Sequence, residues 1–275
     1  MTDHPQYHLV GTFTRYSSWT ARVETVLEYF KIPYTSQMVD FEDIRTVSIS
    51  GLVPVLESRS LGIMINDTLS ICEFLAESNP HLNLWPSDPK LRALARSAAA
   101  EMHSGFTTIR NTYHTNFIAQ YTGNIPVPEQ ARKEIIRILT IWDNARKVTK
   151  ARLAELGEKD EGFLFGGFSI ADAFFWPVLW VDNPIHFSIN DHEKRITDHR
   201  QRFRTYNLPL DSATPDALKW MATMWNDPSI KKLVGNYYRQ AERPETRIEK
   251  YENIFADRED IHSSVFPEDW RFSEP

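Results

Sequence analysis

A short stretch with two prolines, residues 85–89 (WPSDP), divides this sequence into two parts with different patterns of apolar residues. Two prolines within four residues interrupt any helix, so regular structure must break here. Strand-like and helical runs alternate before it, whereas apolar residues recur at helical spacing over most of the region after it. We therefore expect an α/β domain over residues 1–86 and an all-helical domain over residues 91–275.

The first part begins with a β-α-β pattern. Residues 7–13 predict a strand, and a helix follows whose apolar residues Val23, Val26, Leu27 and Phe30 have i, i+3, i+4, i+7 spacing. Ser17 or Ser18 is a natural N-cap for this helix. A second strand over 34–39, a hairpin over 53–57 and 62–65, and a helix over 68–78 complete the domain.

The second part predicts helices only. Apolar spacing indicates a long helix from Leu91 to Ile109, and another from about Pro128 to Leu156. A third helix starts at the S-x-x-D box Ser169–Asp172, and its apolar continuation should be buried. Two more helices are expected over residues 216–225 and 230–242. The tail from Arg243 lacks a clear period, so it either wraps around the protein or stays mobile.

Composition excludes several classes of function. A formal net charge of −6 argues against a protein that coats nucleic acid. The single cysteine, Cys72, rules out an intrachain disulfide and CxxC metal sites, and the nine histidines show no metal-ligand spacing. No signal-peptide pattern and no apolar run of about 20 residues is present. We therefore expect no metal and no membrane partner, and a cytoplasmic location.

Four motifs, in this order along the chain, carry a resemblance to a known family: SSWTARV at 17–23, LVPVL at 52–56, NDTLSICEFL at 66–75 and GFSIAD at 167–172. Together they resemble the glutathione S-transferase superfamily, and the first is similar to the serine turn of the zeta class, the maleylacetoacetate isomerases. The resemblance implies a thioredoxin-like α/β N-terminal domain and an all-α C-terminal domain, the glutathione transferase architecture. It also implies glutathione as co-substrate or recycled cofactor, and a homodimer.

Ser17 is the residue that the resemblance marks as catalytic. A free thiol has a pKa of about 8.5 and is only a few per cent thiolate near neutral pH, so a catalyst must stabilise the anion. A serine hydroxyl at a helix N-terminus does so by donating a hydrogen bond, and the helix dipole adds to it. Ser17 could instead only cap the helix, and Ser18 could fill either role.

Two further segments are expected to bind glutathione by resemblance. A cis peptide at Pro54 would let the Val53 backbone pair with the cysteinyl unit of glutathione, as in strand addition. Thr68, at a helix start, suits the γ-glutamyl carboxylate, and Asp67 suits the γ-glutamyl ammonium. A trans proline and simple N-capping are the alternatives.

Two residues depart from the family pattern. Leu52 stands where the family has a basic residue that anchors the glycine carboxylate, which weakens the expectation of tight glutathione binding. Trp19 replaces the zeta-class cysteine, which argues against thiol–disulfide exchange at this turn.

The residues that face the second substrate are less clear from sequence. Met102, His103, Phe106 and Arg110 share the helix that faces the cleft in this family, although a core or solvent role suits each of them too. By resemblance, Arg202 would handle an acidic substrate group. The charged segment 182–200 is either an insertion that covers the cleft or a solvated loop.

These features predict a glutathione-dependent enzyme. Its Ser17-stabilised thiolate would attack a hydrophobic electrophile, giving either a conjugate or the addition–elimination cis–trans isomerisation of a conjugated double bond. The alternative is a non-catalytic binding or scaffold protein with the same fold.

Overall fold

The computed structural model of the protein describes residues 5–181 and 214–268. The segment 182–200 and Arg202 lie outside these ranges. The N-terminal part is a four-stranded sheet with strand order β2-β1-β3-β4. Its strands are β1 (Tyr7–Gly11), β2 (Tyr34–Met38), β3 (Val55–Ser58) and β4 (Ile63–Asn66). Only β1 and β2 are parallel; β3 and β4 are antiparallel to their neighbours.

Three helices accompany this sheet: α1 (Ser18–Tyr29), α2 (Ile44–Val47) and α3 (Thr68–Ser78). Helix α1 joins the parallel strands and buries Val23, Val26 and Leu27 completely, as its apolar spacing predicts. The β-α-β unit, the hairpin and the closing helix give the thioredoxin-like arrangement expected from the sequence.

Helices dominate the rest of the described chain. They are α4 (Pro89–Ser104), α5 (Thr107–Thr112), α6 (Glu129–Leu156), α7 (Ile170–Phe175), α8 (Val178–Val181), α9 (Pro215–Asn226), α10 (Pro228–Ala241) and α11 (Glu249–Glu252). Asp88 caps α4 by accepting from the Leu91 N–H at 3.0 Å. No helix within the described ranges has the length and apolar character to cross a membrane.

The long helix predicted from Leu91 to Ile109 is wrong in one respect, because it is broken. Helix α4 ends at Ser104 with Gly105 as its C-cap, and Phe106 adopts a left-handed conformation with φ 57° before α5 begins. The carboxylate of Glu134 on α6 accepts from the backbone N–H groups of Thr108 and Ile109, at 3.3 and 2.9 Å. These bonds satisfy the free donors that the break creates, so the two helices form instead of one.

Asp172 organises the centre of the helical part. Its buried carboxylate accepts from the Ser169 N–H at 3.0 Å and hydroxyl at 3.1 Å, which makes the predicted N-terminal box of α7. It also accepts from Leu164 N–H at 2.9 Å and from the Trp220 indole at 2.8 Å. Helix α7 is buried along its whole length, as its apolar composition predicts.

The described part of the segment after α10, residues 243–268, packs back on the protein, which agrees with the first of the two expectations for it. It contains the strand β6 (Ile261–Val265), which pairs antiparallel with β5 (Ala119–Gly123) in a two-stranded sheet. The Phe266 N–H extends this pairing by donating to the Ile118 carbonyl at 2.8 Å. We call residues 243–268 the C-terminal strap.

Candidate functional site

A cavity of about 300 Å³ lies where the two parts of the protein meet. Its wall includes residues from the start of α1, the loop before β3, helices α4 and α5, and the C-terminal strap. Of the residues predicted for the site, the lining includes Ser17, Ser18, Val53, Met102 and Arg110. The volume is at the lower end of the range for small-molecule sites in proteins.

Ser17 is the N-cap of α1 and lines this cavity. Its hydroxyl oxygen accepts from the Thr20 backbone N–H at 3.2 Å and lies 2.9 Å from the Thr20 hydroxyl. The Thr20 side chain is fully buried. When the Thr20 hydroxyl donates to Ser17, the Ser17 oxygen accepts two hydrogen bonds and its own hydroxyl hydrogen is free to donate to a third group. The cap role and a donor role are therefore compatible.

The start of α1 offers further donors to the same cavity. Neither the Ser18 nor the Trp19 backbone N–H has an acceptor among residues 5–181 and 214–268, as is usual in a first helical turn. The Thr12 hydroxyl lies directly after β1, lines the cavity, and is buried without a partner in the described chain. A buried hydroxyl without a partner costs free energy unless a ligand or water satisfies it. These groups suit an anion.

The loop before β3 supplies an unpaired strand edge. The Val53–Pro54 peptide is cis, as the motif predicts, and β3 pairing starts only at Val55. Within the described chain, no group bonds to the backbone N–H or C=O of Val53, which lines the cavity. Leu52, beside it, is 72% exposed. An extended peptide can pair with such a backbone edge.

Asp67 and Thr68 form the start of α3. Asp67 has a φ of 74°, a strained value for a residue with a side chain, and such strain is concentrated at functional sites. Its carboxylate accepts from the N–H groups of Leu69 at 2.9 Å and Ser70 at 3.1 Å. The Thr68 hydroxyl donates to the Trp19 carbonyl at 3.4 Å. These side chains are thus used in capping and in tying α3 to α1, which leaves the Thr68 backbone N–H for a ligand.

The predicted residues of the helical side do not share one location. Met102 and Arg110 line the cavity, whereas Phe106 is buried in the hydrophobic core at the break between α4 and α5. His103 places its Nε2 3.2 Å from the free oxygen of Asp67 and lies edge-on to the Trp19 ring, with centroids 5.6 Å apart. His103 therefore links the helical side to the start of α3.

The C-terminal strap closes one side of the cavity. Tyr251 and Tyr16 are part of the lining, and their ring centroids are 6.3 Å apart. The Glu252 carboxylate accepts from the Tyr16 hydroxyl and pairs with the Arg15 guanidinium at 2.8 Å. Burial and the hydrogen bond to Glu252 raise the pKa of Tyr16 well above its usual value. Tyr16 is therefore held as a neutral phenol.

Sequence reasoning missed several lining residues, chiefly Thr12, Tyr16, Arg22 and Tyr251. The position of Thr12 at the carboxyl end of a strand was a usable signal, because ligands bind at that end in open α/β sheets. The sequence around Tyr251 gave no such signal. Tyr251 reaches the cavity only because the C-terminal strap packs against residues that are far away in the sequence.

Comparisons with known proteins agree with this architecture. The family model for the glutathione S-transferase N-terminal domain matches residues 16–78. Omega-1 glutathione S-transferase from Sus scrofa is 29% identical over 188 residues, which cover 67% of this chain and 61% of that protein. Maleylacetoacetate isomerase from Dictyostelium discoideum is 25% identical over 220 residues, covering 74% of this chain and 94% of that protein.

A solved structure supports the fold over a longer stretch. A glutathione transferase homologue from Burkholderia, crystallised with bound glutathione, aligns with a TM-score of 0.55 at 19% identity. The alignment covers 86% of this chain and 99% of that one. With the family-model match over residues 16–78 and the four motifs in register, these findings show that the chain is similar to glutathione S-transferases and has their fold.

Proposed function

We propose that the protein binds glutathione in this cavity and uses Ser17 to hold its sulfur as a reactive thiolate. The observation that carries the proposal is the position of Ser17: a helix N-cap that lines a cavity, whose oxygen accepts from the Thr20 N–H and lies 2.9 Å from the Thr20 hydroxyl. An anion at this point meets the Ser17 hydroxyl and the free N–H groups of the first turn of α1.

Groups in the cavity and at the start of α3, which contacts the cavity residue Trp19 through Thr68, fit the tripeptide. The unpaired backbone of Val53 suits the cysteinyl N–H and C=O, as in strand addition. The backbone N–H of Thr68 at the start of α3 suits the γ-glutamyl carboxylate. The strained backbone of Asp67 brings this helix start into position. Pro54 acts by fixing the geometry of the loop that carries Val53.

Stabilising the thiolate is the chemical task of the site. Lowering a thiol pKa by two units requires roughly 2.7 kcal/mol of preference for the anion. A charge-assisted hydrogen bond contributes roughly 1.5–3 kcal/mol, and a helix N-terminus roughly 0.3–1 kcal/mol. Together, Ser17 and the first turn of α1 supply roughly 1.8–4 kcal/mol, a range that includes the stabilisation required. The thiol proton leaves to solvent, and Ser17 keeps its own proton throughout.

Two reactions follow from one thiolate. In conjugation, the thiolate forms a carbon–sulfur bond in one of two ways. By substitution, the leaving group departs with its electron pair. By addition, a conjugated double bond takes up the electrons and then a proton. In isomerisation, the addition is reversed after rotation about the former double bond. Thiol–disulfide exchange does not fit, because Cys72 is buried and burial raises its pKa far above neutral.

Product analysis tests the proposal. Glutathione should raise the thermal midpoint of unfolding, because it binds the native state. Incubation with 1-chloro-2,4-dinitrobenzene should then consume glutathione stoichiometrically and give an adduct of matching mass, if conjugation operates. Turnover of a cis-enone with no loss of glutathione would assign isomerisation instead. A thermal midpoint that does not move at saturating glutathione would refute both.

A non-catalytic binding or scaffold role is the second candidate, and Leu52 is the observation that favours it. Its exposed side chain carries no charge at the place where a basic residue would anchor the glycine carboxylate. Glutathione binding without turnover of any electrophile, in a protein whose thiol pKa is unshifted, would support this role over the enzymatic one.

A further inference from the structure

Two arginines, Arg22 of α1 and Arg110 of α5, line the same cavity and lie beside one tryptophan. The guanidinium carbon of Arg22 is 4.4 Å from the centroid of the Trp19 ring, and that of Arg110 is 5.2 Å from it. One indole thus brings together two positive charges from different parts of the protein.

Neither arginine has an acidic partner in the described chain. Arg22 is only 1% exposed, and its Nε donates to the Phe174 carbonyl at 2.9 Å. Arg110 donates from Nη1 to the His103 carbonyl at 3.3 Å. No carboxylate lies within 4.0 Å of either side chain over residues 5–181 and 214–268. The nearby Glu134 is occupied by the N–H groups at the start of α5.

Both side chains also keep a donor unused. Nη1 of Arg22 and Nε of Arg110 are buried and have no hydrogen-bond partner in the described part of the chain. Burying a charged group without a partner is costly, and truncation of its partner in other proteins is strongly destabilising. Burial and the neighbouring Arg110 lower the pKa of Arg22 to about 9, which still leaves it charged at neutral pH.

Two unpaired guanidinium groups in one small cavity define the chemistry of the group that would satisfy them. A carboxylate has two acceptor oxygens and a negative charge, which match the fork of an arginine. Arg110 stands with the apolar residues Met102 and Ile109 on the helical side, whereas Ser17 and Val53 belong to the N-terminal part. Arg22 belongs to α1, so an acidic group that reaches both arginines would lie between the two parts of the protein, and its contact with Arg110 would place it on the molecule that meets the thiolate from the helical side.

We propose that Arg22 and Arg110 form a carboxylate-binding subsite for the second, electrophilic substrate. This inference rests on the proposed function, and it gives the electrophile an acidic group held by Arg22 and Arg110. Trp19 keeps the two guanidinium groups together and offers its ring to a flat, unsaturated body attached to the carboxylate.

A pair of probes that differ only in charge tests this subsite. Binding of 3,5-dinitrobenzoate and of its methyl ester, neither of which has a leaving group, is followed by quenching of tryptophan fluorescence. Turnover is measured with 4-chloro-3,5-dinitrobenzoate and its methyl ester, which lose chloride to the thiolate. Arg110→Gln is the main variant because Arg110 is half-buried, and Arg22→Gln is a second one, checked for folding by circular dichroism.

Arg96→Gln is the matched control. Arg96 is an arginine of α4 that also lies over a tryptophan, Trp85, at 5.6 Å, but it pairs with Glu73 outside the cavity lining. We expect Arg110→Gln to weaken binding of the acid about tenfold or more, and that of the ester less than about twofold. The control variant Arg96→Gln should leave the affinity for the acid and for the ester unchanged.

Other results would overturn the subsite. Equal affinity of the wild type for the acid and the ester would overturn it. An equal loss of affinity for the acid and the ester in Arg110→Gln would overturn it too. If Arg110→Gln weakened glutathione binding and left the acid unaffected, the arginines would serve a carboxylate of glutathione. Selective binding of the acid without turnover of either chloro compound would support the subsite and count against the proposed reaction.

Discussion

Replacing Ser17 with alanine removes one oxygen atom that has two separable roles. As the N-cap of α1, this oxygen accepts from the Thr20 N–H at 3.2 Å. Loss of an N-cap costs about 1 kcal/mol of unfolding free energy. As the proposed donor to sulfur, the hydroxyl contributes a charge-assisted hydrogen bond of roughly 1.5–3 kcal/mol. Losing it should raise the pKa of the bound thiol by about one to two units.

Two assays separate these effects. Urea unfolding reports the loss of the cap, and the ultraviolet absorbance of the thiolate, followed against pH with glutathione bound, reports the pKa of the thiol. The acidic limb of the pH profile of kcat/KM should move upward by the same amount as the thiol pKa. Ser17→Thr keeps both the acceptor and the hydroxyl, so it should restore most of the wild-type behaviour.

Ser18→Ala is the neighbouring control. Ser18 also lines the cavity, but it is the first residue of α1 and not its cap. If Ser17→Ala left the thiol pKa and the turnover unchanged, Ser17 would not be the donor that stabilises the thiolate. A shift in Ser18→Ala of the size expected for Ser17 would transfer the role to Ser18.

Three further predictions concern the frame of the site. Asp172→Ala removes the acceptor of four buried donors, including the Trp220 indole at 2.8 Å. Urea unfolding should therefore show a loss of about 4 kcal/mol or more in unfolding free energy. A loss under about 1 kcal/mol would contradict this hydrogen-bond network. Glu252→Gln removes the charge that pairs with Arg15, so amide hydrogen exchange of residues 249–252 should become faster while exchange in α7 stays slow. Burial raises the pKa of Glu24 to about 7 in the folded protein, above its value in the unfolded chain. The folded protein therefore holds this proton more tightly, and its stability should fall as the pH rises from about 5 through about 7. Glu24→Gln should flatten that decline in urea midpoints, and an identical pH dependence in both proteins would count against it.

Much of the fold could be predicted from local patterns. The i, i+3, i+4, i+7 spacing of Val23 to Phe30 places α1, and helix α3 has the bounds expected for it. The break at Gly105 and Phe106 could not be predicted in this way, because the apolar spacing continues across it. What breaks the helix is a tertiary contact, the acceptance by Glu134 of two N–H groups at the start of α5.

The second sheet illustrates the same limit. Ala119 pairs with Val265, so neither strand has a local partner that would mark it. Strand β6 is mostly exposed and therefore lacks a strong apolar alternation.

The candidate site was only partly predictable. Ser17 and Val53 follow from motifs, since their roles depend on a cap and a loop that are local in sequence. The pairing of Arg22 with Arg110 around Trp19 needs three residues from α1 and α5 to meet, and no spacing along the chain encodes that.

Proton release on glutathione binding tests the central claim most directly. Calorimetric titration in buffers of different ionisation enthalpy counts the protons that leave the thiol as it binds. If the pKa of the thiol falls by about two units, roughly 0.7 proton per bound glutathione should be released near neutral pH. The analogue with a methyl group in place of the thiol, γ-glutamyl-aminobutyryl-glycine, should bind with nearly none. Equal proton release by the two peptides, or binding of neither, would contradict the account.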